Sequence, residues 1–122
     1  MGVYYQYENL DAKECISLHY VANIKYGAYE VPGIHAAILN IFLGFDPNRT
    51  VFNIPYVGIW RGHRISLTND TEEDYHPKYI DKGMEMIKYL HANNCLDVWL
   101  LSLGREAPIY DSVVRGIAAE SR

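Results

Sequence analysis

Tyr79–Glu106, YIDKGMEMIKYLHANNCLDVWLLSLGRE, decides how the rest of the chain is read. Ile80, Met84, Ile87 and His91 recur at helical spacing, with Gly83 and Leu90 beside them, so one face is apolar or small. Lys82, Glu85 and Lys88 face the other way, and Pro77 suits a first helical turn. Asn93 and Asn94 supply a stop, because Asn tolerates the left-handed conformation in which helices often end. The spacing therefore predicts a helix over 77–93. Leu96–Ser102 is apolar on both alternations apart from Asp97, which predicts a central strand covered on both faces. Ligands gather beyond the carboxyl ends of strands in open sheets, so Gly104 and Arg105 become site candidates.

Working outward, Val3–Tyr7 reads as a short aromatic strand. From Cys15 to Tyr26, Ile16, Leu18, Tyr20, Ala22, Ile24 and Tyr26 alternate with more polar residues, which predicts a long strand buried on one face, with a break near Ala22-Asn23. Ile34, Ala37, Ile38, Ile41 and Phe45 predict a nearly uncharged helix over 33–43, with Gly44 at its C-terminal end. Asp46–Arg49 reads as a turn. Thr50–Ile54 and Tyr56–Trp60 read as strand interrupted by Pro55, and Arg61–Arg64 as a hairpin turn returning through strand Ile65–Thr68. Val114, Ile117 and Ala118 give a final helix over 111–120. The expected fold is one α+β domain spanning 1–122. It holds a mixed, mostly antiparallel sheet of five to six strands with two to three helices.

The 122 residues are 49% hydrophobic, which excludes a disordered chain. Two cysteines make no disulfide framework and read as reduced, buried thiols. No signal peptide or run of about 18 apolar residues is seen, so a cytoplasmic protein with no membrane partner is expected. A net charge of −4 argues against a binder of long nucleic acid, yet leaves room for a small anion held by two or three local cations. The uncharged first helix and the eleven tyrosines suggest a homo-oligomer, a dimer or a multiple of dimers.

Arg61-Gly62-His63-Arg64 is the densest cationic spot. Two guanidiniums can fork onto phosphate oxygens while glycine admits a ligand close to the backbone. Trp60 and Tyr56 offer stacking surfaces beside it. The plainer alternative is a hairpin with arginines exposed for solubility. No P-loop or dinucleotide fingerprint is present, and neither a CxxC nor an HExxH suggests a metal. A catalytic set is not visible: GxSxG is absent, and a cysteine in buried surroundings is usually inert. No cofactor is expected.

Tyr4-Tyr5 with Glu8-Asn9-Leu10-Asp11-Ala12, and Cys95-Leu96-Asp97 ahead of an apolar run, resemble two stretches of the barstar family of ribonuclease inhibitors. The gap between the stretches is longer here, and the alternating pattern after the first departs from the helix of that family. The resemblance implies a protein-binding inhibitor, an alternative to the main expectation. That expectation is non-catalytic binding of a small phosphorylated ligand such as a nucleotide signal, by a sensor or a sequestering sponge of the sort found in phage counter-defence. A small hydrolase is the second alternative.

Overall fold

Tyr4–Asn9 (β1) is the strand on which the architecture rests, and it pairs on both sides. The computed structural model of the chain describes residues 4–18, 24–25, 33–45, 54–103 and 107–120. Along one side of β1 runs Ile65–Asn69 (β4), antiparallel, with Tyr7 opposite Leu67 and Glu8 opposite Ser66. Along the other side lie Glu14–Ile16 (β2) and then Ile24–Lys25 (β3), both antiparallel to it. Ile80–Asp81 (β5) joins β2 in parallel, so the sheet is mixed and mostly antiparallel, as expected.

The long strand expected over Cys15–Tyr26 is corrected to β2 and β3. Tyr7 faces Ile16, and continued pairing would bring Leu18 opposite Tyr5, where Ile24 stands instead. The cause is visible at Asp81. Its carboxylate accepts the backbone N–H groups of Ser17 (3.3 Å) and Leu18 (2.8 Å), and Leu18 turns to φ 54°. The Leu18 amide, which continued pairing would have turned toward Tyr5, is thereby withdrawn from the ladder. The same carboxylate accepts Met84 N–H (3.1 Å) and caps the helix Lys82–Ala92 (α2). The helix expected from 77 thus starts at 82, and Pro77 precedes it in a turn. Its end is as expected, with Asn94 left-handed at φ 57°.

Gly33–Leu43 (α1) matches the predicted range. Gly44 at φ 115° closes it: Phe45 N–H donates to Asn40 O and Gly44 N–H to Ile41 O, satisfying two terminal carbonyls. Phe45 does not join the buried stripe, which Phe42 completes instead. Strand Tyr56–Trp60 is also corrected. Residues 55–62 form successive turns, with Gly58 N–H bonded to Ile41 O and Trp60 N–H to Phe42 O. Pro55, with Gly58 and Gly62 at φ 79° and 81°, wraps the segment round the end of α1 rather than along the sheet. Arg61–Arg64 is accordingly a turn leading into β4, not the bend of a hairpin. The strand expected over Thr50–Ile54 and the turn at Asp46–Arg49 lie outside the described residues, except Ile54, which is not in a strand.

Leu96–Ser102 (α3) overturns the expected central strand: it is a helix. Leu96, Trp99 and Leu100 are buried at helical spacing, while Val98 and Leu101 are exposed. Ala107–Glu120 (α4) begins earlier than the predicted 111, with Pro108 in its first turn. Four helices are therefore described instead of two or three.

The sheet has two unlike faces. Tyr7, Ile16 and Ile65 belong to the odd face of β1 and its neighbours and pack into the core with Ile38, Phe42, Met84, Ile87, Leu90 and Trp99. Gly83 lets α2 approach this face, since a Cβ there would stand 2.8 Å from Ile16 Cγ2. The other face carries Gln6, Glu8, Cys15, Ser66 and Thr68, polar or weakly polar throughout. No described helix is long and apolar enough to cross a membrane.

Candidate functional site

Residues 56–64 carry four of the six expected ligand contacts, and the fold turns them in different directions. Trp60 is fully buried, packs edge-on against Phe42 (4.9 Å between ring centroids) and donates its indole N–H to Glu14 (2.8 Å). It anchors the turn from beneath and offers no stacking face. Tyr56 is half-buried against Phe42 and Tyr89, donates to Glu85 (3.2 Å), and has Lys82 Nζ 6.0 Å from its ring centroid. Burial, and then the Glu85 carboxylate, push its phenol up.

The two arginines remain at the surface. Arg61 leans over Gly44 and Gly58, with Nε donating to the Leu43 carbonyl at the end of α1 (3.4 Å). Arg64 leans the other way: its backbone N–H and its Nε each reach Asp11 at 2.8 Å. The backbone N–H of Arg64 first, and its guanidinium second, hold the Asp11 carboxyl below the usual carboxylate range. Between them Gly62 has nothing within 4 Å of where a Cβ would stand. Gly104 and Arg105 lie outside the described residues.

His63, part of the cationic stretch but not one of the expected ligand contacts, completes this turn. Asn9 Oδ1 accepts the N–H groups of Asp11 (3.0 Å) and Ala12 (2.9 Å), which fixes the side-chain amide. Asn9 Nδ2 therefore donates to His63 Nδ1 (2.8 Å). In the neutral ring the proton then sits on Nε2, a donor on an exposed side chain. Arg61, His63 and Arg64 are thus exposed donors on one short turn, directed to different sides of Gly62, on a backbone pinned by Trp60, Asn9 and Asp11. The Glu8–Ala12 stretch itself is the end of β1 and the turn into β2, with Lys13 at φ 58°.

The polar face of the sheet holds a second cluster. Glu8 is 1% exposed, and both its oxygens are occupied. Oε1 accepts His76 Nδ1 (2.8 Å), and Oε2 accepts His76 N–H (2.9 Å) and Gln6 Nε2 (2.6 Å). His76 stacks on Tyr79, with 4.3 Å between centroids and 8° between planes. A carboxylate on Nδ1 leaves Nε2 as a base, the orienting half of a catalytic dyad. The nucleophile half is missing from the described contacts. Cys15, opposite Glu8 in the ladder, donates its thiol to Tyr79 O (3.7 Å); burial first, then the Asp81, Glu8 and Glu14 carboxylates, keep it protonated. No group of three metal-ligating side chains occurs among the described residues. This cluster depends on strand register, and the only sequence signal was the alternation of Gln6 and Glu8 with Tyr5 and Tyr7.

No protein-family model matches the chain, and neither a curated protein nor a solved structure matches it.

Proposed function

We propose that this protein binds a small phosphorylated ligand without transforming it, as a sensor or a sequestering sponge for a nucleotide-like anion, at the Arg61–Arg64 turn. One observation carries the reading: Arg61, His63 and Arg64 are all exposed in one short turn, and Gly62 between them leaves the backbone open to close approach. The chain is otherwise acidic, so this turn is where an anion meets local positive charge. Trp60 and Tyr56 support the turn from the core. Leu96–Ser102 is a helix, so the strand-end reason for Gly104 and Arg105 falls away, and Arg105 enters the proposal only as a further guanidinium.

Calorimetry with a panel of nucleoside phosphates and cyclic nucleotides tests this. Each charge-assisted contact contributes about 1.5–3 kcal/mol, so Arg64→Ala or Arg105→Ala weakens binding roughly 10- to 100-fold. Arg64→Lys restores only part of it, because lysine cannot fork. Unchanged affinity in Arg61→Ala, Arg64→Ala and Arg105→Ala together overturns the site.

A second reading, a protein-binding inhibitor or adaptor, draws on the exposed Leu43, Phe45 and Val57 that flank Arg61. Aromatic and arginine side chains set together are frequent anchors of protein interfaces. Phe45→Ala abolishing capture of a protein partner, with nucleotide binding absent, would favour it.

A further inference from the structure

We infer that β4 is the interface of a twofold dimer, two copies of Ile65–Asn69 pairing antiparallel about Leu67. Among the described residues β4 pairs with β1 alone. The direction of its main-chain groups not bonded to β1 follows from the ladder. Leu10 N–H donates to Arg64 O (3.0 Å) and Asp70 N–H to Tyr4 O (3.1 Å), so Arg64, Ser66, Thr68 and Asp70 turn their main chain toward β1. Ile65, Leu67 and Asn69 consequently turn theirs outward, and Leu67 is 40% exposed. Ile65–Asn69 carries none of the lysine, proline or inward charge that usually protects an open edge.

The occupant is specified by charge. Arg64 and Asp70 bracket the uncharged strand at equal distances from Leu67. An antiparallel copy centred on Leu67 places Arg64 of each chain directly opposite Asp70 of the other, twice by symmetry. In the same register Leu67 meets Leu67 as a hydrogen-bonded pair, and Ile65 meets Asn69 on either side. A parallel copy, or one shifted in register, loses the charge match. A single strand edge is a small interface, so association is expected in the micromolar range.

Sedimentation velocity on the full chain, over about 1 to 100 µM, is expected to show monomer–dimer exchange. Leu67→Pro removes an outward N–H and no bond to β1, so it should abolish the dimer and keep the native circular dichroism. Asp70→Lys sets like charges opposite each other, and so does Arg64→Glu. Each alone should weaken self-association about tenfold. An equimolar mixture of the two restores both pairs and should dimerise, an outcome that a merely structural role for either residue does not produce. A monomer throughout the wild-type series overturns the inference. So does a Leu67→Pro dimer of wild-type affinity, or a mixture of folded charge variants that fails to associate.

Discussion

Acidification should remove a defined part of the stability through His35. Its ring is fully buried on α1, and Nε2–H donates to the Ser17 carbonyl (3.1 Å). Among the described residues Nδ1 has no hydrogen-bond partner. Protonation would therefore place a charge and an unmatched N–H in the core. Burial, partly opposed by the Ser17 bond, lowers the pKa from 6.5 to about 4. Between those values the unfolded chain binds a proton that the folded chain refuses. Stability from this residue is therefore complete above pH 6.5 and falls as pH drops toward 4. At about 1.4 kcal/mol per pH unit the loss is about 3 kcal/mol, a large share of the 5–15 kcal/mol typical of a domain. Urea denaturation followed by circular dichroism, at intervals between about pH 7 and pH 4, measures it. His35→Gln keeps a donor for Ser17 and does not titrate, and carboxylate effects are common to both proteins. The variant should have the flatter profile over this range. Superimposable profiles would refute the argument.

Gly83→Ala should cost about 1–3 kcal/mol in denaturant titration, because its Cβ would press on Ile16 Cγ2 at 2.8 Å and Leu18 Cδ2 at 3.3 Å, both in the core. Asp81→Ala removes a helix cap and leaves two further N–H groups without their acceptor, an expected loss of about 2–3 kcal/mol, and hydrogen exchange should quicken at Ser17, Leu18 and Met84. Incubated with the panel of nucleoside phosphates, the protein should return each of them intact by mass spectrometry. Turnover that His76→Ala abolishes would move the chain to the hydrolases.

Where local chemistry decides the conformation, the residues were legible. Gly44 and Asn94 mark helix ends that their positive φ angles realise, and the stripe of Ile34, Ile38 and Ile41 is buried as its spacing implies. The reading failed where an apolar residue faces solvent. Val98 and Leu101 fill the outer side of α3, so its burial period was invisible and a helix looked like a strand covered on both faces. It failed again where a distant side chain diverts the backbone, as Asp81 does to Ser17 and Leu18. The cationic turn could be read as composition. The tautomer of His63 could not, because it depends on an Asn9 amide fixed by its own turn, and the Glu8–His76 pair required the register.

The two proposals meet at Arg64. Its guanidinium holds Asp11 through Nε, and the remaining nitrogens are exposed on a side chain that is 72% accessible. A phosphate at the turn and Asp70 of a second copy would draw on those same donors. Two ligands that compete for one group are coupled negatively, and the coupling is reciprocal. Phosphorylated ligand should therefore weaken the dimer by the same factor by which dimerisation weakens ligand binding. Sedimentation with and without saturating ligand, and calorimetry on dilute and concentrated protein, measure that factor from both sides. In Leu67→Pro the concentration dependence of ligand binding should vanish while the affinity of the monomer persists. If ligand instead strengthens the dimer, Arg64 is not shared between the two contacts, and the anion sits where it bridges copies rather than separates them.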